Sequence, residues 1–239
     1  MLIDKILGKK VGEGHGRWGG VVGDAVLGAN DGIITTFAVV AGVTGASLSP
    51  TIVIIIGMAN IIADGISMAM GNYLGTKSEL DFVKSERKRE EWEVENKPEE
   101  ETEEIRQIYR DRGFEGQDLE RVVTVITADK KRWVDVMMKD ELGLSHEETF
   151  KPFRSAAVTF ISFLVFGILP LLAYLPFWTI ENKFFITSVL TGMAIFSVGA
   201  FSGIVTKKNF IISGIEMLLI GFISAASAYA IGALISKIV

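Results

Sequence analysis

Apolar residues run through five stretches of this chain, at about 20–44, 50–75, 155–177, 184–206 and 209–236. Each is long enough to cross about 30 Å of hydrocarbon at about 1.5 Å per helical residue. Between the second and third lies a segment of another kind, 76–152, where charged residues dominate and apolar ones recur three and four positions apart. The pattern predicts an all-α polytopic membrane protein with five transmembrane helices and a three-helix insert between helices two and three. It divides the chain into 1–75, 76–152 and 153–239.

Within the insert, 77–96 reads as a charged continuation of the second span. Pro98 suits the first turn of a second helix, with Ile105, Ile108 and Tyr109 on one face and Gly113 to end it. A third helix is expected from about Gln117 to Leu142, with Leu119, Val122, Val123, Ile126, Trp133, Val134 and Met137 on its apolar face. Ser145 with Glu148 offers a capping box leading towards span three. At the other end of the chain, Leu2, Ile3, Ile6 and Leu7 set against Asp4, Lys5, Lys9 and Lys10 suit a short interfacial helix better than a secretory signal.

Charge sharpens the division. The insert holds 22 acidic and 15 basic residues and carries −7, whereas the other 162 residues hold 7 and 9 and carry +2, so the net −5 describes neither part. Lys5, Lys9, Lys10, Arg17, Arg154, Lys207 and Lys208 fall on one side if the N-terminus and the insert are cytoplasmic, which leaves the C-terminus outside. There is no cysteine, which excludes disulfides and thiolate metal sites, and only His15 and His146 could supply imidazole. Small residues recur at helix-packing spacing in Gly19 and Gly23, Gly28 and Gly32, Gly71 and Gly75, Gly199 and Gly203. The first span, with two such pairs in succession, is expected at a crowded centre.

Against this background the acids inside the apolar stretches stand out. The first span carries Asp24 and then Asn30-Asp31-Gly32; the second carries Asn60, Asp64 and Met68. A carboxylate at mid-bilayer costs at least about 2.5–3.5 kcal/mol, so it persists only with a partner or a task. Asn60, Asp64 and Met68 are spaced i, i+4, i+8 along one helix face, and together they form a mixed ligand set for a borderline divalent metal such as Fe2+ or Mn2+. The competing reading makes Met68 a packing residue and has Asp64 bonding a neighbouring helix. In the insert, Glu90 and Glu93, Glu101 and Glu104, and the run Met137, Met138, Glu141 place pairs of carboxylates and two thioethers where helices could converge on metal; a solvated acidic face is the competing reading.

Taken together, Asn30-Asp31-Gly32 with Thr36-Phe37, Ser67-Met68-Ala69, the glutamate-rich insert and Met137-Met138 with Glu141-Leu142 resemble the vacuolar iron transporter family of divalent metal exporters. The resemblance implies export of Fe2+ or Mn2+ from the cytoplasm by proton antiport. It also implies a homodimer in the bilayer whose first two spans line the pathway, and no nucleic-acid partner. Carried over, Asp31 and Met68 match membrane ligands, with Asn60 and Asp64 on the same pathway. Glu90, Glu93, Glu101, Glu104, Met137, Met138 and Glu141 match insert ligands for Fe2+, Mn2+ or Zn2+. The host membrane is the cell membrane in a prokaryote and a vacuolar-type membrane in a eukaryote. One departure is visible: plant members have a glutamate at the position aligned with Asn60, and here the acid is Asp64, one turn on. Either Asp64 takes over that role or the pathway holds fewer charges.

Two other classes compete. A membrane di-iron enzyme wants Glu-x-x-His pairs, and neither histidine has a glutamate three residues before it. A membrane-anchored metal sensor needs only the insert, and has no use for acids at mid-span. A transporter rather than an enzyme is therefore expected.

Overall fold

The computed structural model describes residues 15–144, 150–176 and 181–238, with side chains from Gly20 onward. The expected interfacial helix of the first ten residues, the Ser145 and Glu148 capping box and His146 lie outside the described residues. The regular structure of the described residues is helical, with no strand among them. Five helices are long and apolar enough to cross a membrane. The chain divides into two compact units, residues 1–73 with 153–239, and residues 74–152.

In the first unit, α1 (His15–Gly45) ends where Ser47 turns left-handed (φ 56°), and α2 (Pro50–Asn96) begins with a proline whose missing N–H costs nothing at a helix start. α6 (Pro152–Gly167) does not run on as an α-helix through the expected span to 177. It gives way to a 3-10 segment, Leu169–Tyr174, because Pro170 has no N–H to donate and its ring crowds the preceding turn. α7 (Lys183–Val205) and α8 (Phe210–Ile235) each start on an asparagine cap: Asn182 Oδ1 accepts from the Phe185 N–H at 3.2 Å, and Asn209 Oδ1 from the Ile211 N–H at 2.9 Å.

α1 packs on α7 and α8, which pack on each other. Its other neighbour is α6, which it meets through glycines: a Cβ on Gly28 would collide with the Thr159 carbonyl, and one on Gly32 would lie 2.6 Å from the Phe163 carbonyl oxygen. Phe163, fully buried, also meets α2 at Gly65. α6 therefore seats α1 and α2 together, and the core of Phe37, Val40, Ile61, Phe163, Leu171 and Tyr174 surrounds that seat. Outward faces stay apolar and exposed, as at Phe222 and Ile223 of α8, which suits contact with lipid.

The second unit takes the α2 residues from Leu74, then α3 (Pro98–Asp111), α4 (Gly116–Thr127) and α5 (Lys130–Val136), which runs into a π-helical turn, Met137–Glu141. The third helix expected from Gln117 to Leu142 is thus divided. The physical reason is Asp129, whose side chain accepts from the Arg132 N–H at 2.8 Å and starts a new helix, while Arg132 donates to the Val125 carbonyl at 2.6 Å and closes the old one. The core is Val83, Val94, Ile105, Leu119, Val123, Ile126, Trp133, Val134, Met137 and Met138.

Close α1 to α6 packing can be tested. Gly32→Ala puts a methyl against backbone that cannot yield, so it should cost about 1–3 kcal/mol and lower the thermal midpoint in detergent. Gly192→Ala, whose methyl meets only Leu218 Cδ2 at 3.7 Å, should leave the midpoint unchanged or raise it.

Candidate metal sites in the membrane helices and the insert

Asp24, Asp31 and Asp64, the acids singled out in the first two spans, lie on α1 and α2. Asp31 and Asp64 are both half-buried and close enough for their charges to repel. Among the described residues neither has a basic partner. Thr35 donates its hydroxyl to the Asp31 backbone carbonyl at 2.8 Å, a bond within the helix that leaves the carboxylate free. Asn60 Nδ2 is buried with no acceptor, and Asn30 Oδ1 and Thr36 Oγ1 are buried with no donor. Unmet polar atoms of this kind cost about 1–3 kcal/mol each and mark a place where water, a proton or a cation belongs. Met68 is half-buried against the hydrophobic core, so it has a packing role here.

A second set of polar groups on the same helices went unrecognised in the sequence. Asn72 Nδ2 donates to Asp24 Oδ1 at 2.8 Å and to Thr159 Oγ1 at 2.7 Å, linking α2, α1 and α6. The available signal was spacing, because Asn72 extends the four-residue stripe of Asn60, Asp64 and Met68 by one step.

In the insert the predicted glutamates separate by depth. Glu90 on α2 and Glu101 on α3 are 1% and 4% exposed, and each leaves its Oε2 buried without a hydrogen bond. Glu93 is half-buried; Glu104 and Glu141 are exposed. Burial pushes the Glu90 carboxyl up, and Glu93 adds to it by repulsion. Burial, then Glu104, Glu90, Glu93 and Glu141 in turn, push Glu101 up to about 7. Glu141 also rises to about 7, from partial burial and then Glu104, although water screens it more. Thus the five carboxylates sense one another across α2, α3 and the π turn.

That turn is where Met137 and Met138 sit, both buried in the core, with the Leu142 N–H reaching back to the Met137 carbonyl at 3.2 Å. π turns inside α-helices are frequent at functional sites. Among the described residues, no group of three or more carboxylate or imidazole side chains is already arranged to hold an ion. Closing on a cation therefore takes side-chain rotation. Such rotation is least hindered for exposed Glu104 and Glu141. The outer surface of the insert is differently built, its charges tied into pairs such as Arg112 with Asp140 at 2.8 Å and Arg106 with Glu120 at 2.9 Å.

Relatives of the chain match nearly all of it. A vacuolar iron transporter of Plasmodium falciparum is 34% identical over 237 residues, covering 95% of this chain and 87% of its own. One from Toxoplasma gondii is 38% identical over 226 residues, covering 90% and 74%, and vacuolar iron transporter 1 of Arabidopsis thaliana is 34% identical over 217 residues, covering 91% and 87%. The sequence pattern of the VIT family matches residues 22–233, from the first turns of α1 to the last of α8 with the acidic insert between them, and this multi-pass membrane protein belongs to that family.

Proposed function

We propose that this chain is a metal transporter that moves Fe2+ or Mn2+ out of the cytoplasm in exchange for protons, as a homodimer whose pathway is lined by α1 and α2. The observation that carries the reading is the Asp31 and Asp64 pair, two half-buried carboxylates within repelling distance and, among the described residues, without a basic partner. A divalent cation supplies the two positive charges that such a pair lacks, in surroundings where unpaired charge is costly. Protons returning from the far side take its place, because a carboxylate in apolar surroundings holds a proton readily. Asn60 and Met68 complete the stripe on α2, one with an amide oxygen and the other with a soft sulfur for a borderline metal. In this reading the N-terminus and the insert are cytoplasmic, and the insert, with Glu90, Glu93, Glu101, Glu104, Met137, Met138 and Glu141, binds Fe2+, Mn2+ or Zn2+ and delivers metal to the pathway. The relatives' names support iron as cargo.

Asp31→Asn keeps the volume but removes the charge and the exchangeable proton. Metal-driven alkalinisation or acidification inside proteoliposomes, read with a trapped pH dye, should collapse in this variant while insertion is unchanged; near-normal flux sinks the assignment.

Metal binding by the insert should be strongly pH-dependent. The folded pKa of about 7 for Glu101 lies above its ordinary 4.5, so without metal the folded state holds the extra proton: its stabilising contribution is full below about 4.5 and is lost as pH rises through about 7. Metal must displace that proton, so affinity runs the other way. Calorimetry on the full chain should show apparent affinity falling by up to about tenfold per pH unit below 7 for each proton displaced, with proton release on binding. Glu101→Gln should weaken binding and flatten this slope. A pH-independent affinity in the parent contradicts the assignment of Glu101 as a ligand.

A further inference from the structure

We infer that the crevice between α7 and α8 is a lipid site, in which one acyl chain of a phospholipid lies against Phe37 of α1 with the lipid's phosphate near Lys183 and Lys237. The crevice belongs wholly to the membrane unit and encloses about 440 Å³, within the range of small-molecule sites. Its buried lining is Phe37 of α1, Ile195 of α7 and Ala225 of α8, while Phe222 and Tyr229 line it and stay exposed. Small residues make the room: a Cβ on Gly192 would meet only Leu218 Cδ2, at 3.7 Å, and Ala226 adds no more than a methyl from α8. At one end the rings of Phe37 and Phe184 stack with centroids 6.3 Å apart, and Tyr229 tilts on Phe184 at 5.9 Å, so the three helices meet there through aromatic rings.

Four observations point to a lipid tail as the occupant. Ser188 and Tyr229 bring the polar side-chain atoms of the lining, and the Ser188 hydroxyl is committed to the Phe184 carbonyl at 2.8 Å within its own helix. Water in the crevice would lack the two to four polar partners it needs, whereas hydrocarbon gains the dispersion contacts that an unfilled wall forgoes. Secondly, the length fits one leaflet: the eleven residues from Leu218 to Tyr229 rise about 16.5 Å, and Phe184 lies at the start of α7, so the crevice runs from a helix end to about half of the 30 Å hydrocarbon. Thirdly, its edges are bulky. Helices in lipid approach one another through small residues, so Phe184, Leu218, Phe222 and Tyr229 hold off the helix of a second copy and leave a slot for a flexible chain. Fourthly, Lys183 precedes Phe184 and Lys237 follows the last turn of α8, which puts two cations against the single acid Glu181 at the end that Phe184 and Tyr229 mark. A lysine serves a phosphate as a point charge and needs no fixed geometry. Phe37 stands six residues beyond Asp31 on α1, so a seated chain completes the packing of the helix that carries that acid.

The test reads lipid and not metal, so it stands apart from the transport reading. The full chain is placed in phosphatidylcholine vesicles that contain a little phosphatidylglycerol with a diazirine on its acyl chain, irradiated, and its adducts mapped by mass spectrometry. Adducts at Phe184, Leu218 and Phe222 should exceed by about fivefold those at Val189 and Ile223, which are exposed at the same depth but outside the crevice. Gly192→Leu fills the slot and should remove that excess while labelling at Val189 and Ile223 stays as it was; Gly192→Ala should keep it. Lys183→Gln with Lys237→Gln should lower crevice labelling by about threefold. Equal labelling of the crevice and of Val189 and Ile223 in the parent overturns the inference without any variant having to fold. Undiminished crevice labelling in a folded Gly192→Leu protein overturns it too, and parental labelling in the double lysine variant overturns the placement of the phosphate. The chain has no cysteine, so Phe222→Cys reports on a second copy directly: a disulfide-linked dimer as the main product of oxidation in the vesicles shows that another chain covers the crevice, and refutes the lipid.

Discussion

Burial of the Asp31 carboxylate in the membrane unit, to which the nearby charge of Asp64 adds, is the constraint on which the proposed pathway depends. Two like charges in helices whose outward faces are hydrocarbon are unfavourable twice over, once for leaving water and once for meeting each other. Nothing in α1 or α2 pulls them together. They are brought close by packing, through Gly28 and Gly32 against the backbone of α6 and Gly65 against Phe160 and Phe163. The glycines are therefore tied to the acids: dispersion and close backbone approach in α6 supply the favourable energy that holds an electrostatically unfavourable pair in register. In the proposed reading two positive charges relieve this pair, and relief by either a metal or protons is what an exchanger requires.

The insert solves a related problem in water, by different means. Its acids outnumber its bases by seven, and part of the surface charge is neutralised locally, by Arg106 with Glu120, Arg112 with Asp140 and Lys97 with Glu100. Among the described residues its buried acids are Glu90 and Glu101, each with an oxygen that lacks a donor, and Glu101 is held near 7 where small changes in pH alter its charge. Arg89 partly offsets Glu90 from the exposed side, at 3.5 Å, and is too exposed to replace a metal. So the insert tempers its charge with protons, and in the proposed transport reading the membrane pair is tempered by the ion that it admits.

How much of this the sequence carried depended on whether the signal was local. Five spans were readable because length and apolarity are properties of each stretch alone, and the charge of the insert because it is a count. Asp31 and Asp64 were readable as residue types out of place, and Glu101 only as one half of an acidic pair with Glu104. What failed to show were features set by partners far along the chain or by competition between local rules. The run from Gln117 to Leu142 keeps one apolar periodicity, and only the capping geometry of Asp129 with Arg132 shows that two helices share it. Pro170 lies within the expected span 155–177, and the 3-10 turn that it forces brings Tyr174 to Thr44 of α1 and Leu171 to Gly57 of α2, contacts set by residues far along the chain. The π turn at Met137 has no sequence signature, and it leaves both methionines in the core, so their candidacy as ligands rests on side-chain motion. Thr159 in α6 has no signal of its own in the sequence, and its place follows from the hydrogen bond that Asn72 donates to it.

The Asp24 to Asn72 bond also bears on why the second-span acid stands at 64 rather than at 60. α1 and α2 are joined by a short connection and run antiparallel, so a step forward along one matches a step back along the other. From the bonded level, seven residues along α1 reach Asp31, about 10.5 Å away, and eight residues back along α2 reach Asp64, about 12 Å away. The two acids are thus nearly level. Position 60 lies about 6 Å further, nearer the level of Thr35, where the structure places an amide whose Nδ2 has no acceptor. A carboxylate there would face Asp31 obliquely across one turn, with a longer glutamate needed to reach it; an aspartate at 64 reaches it directly. If Asp64 serves the proposed pathway in place of an acid at 60, the shorter side chain and the shift of one turn compensate each other and keep two charges at one height on facing helices.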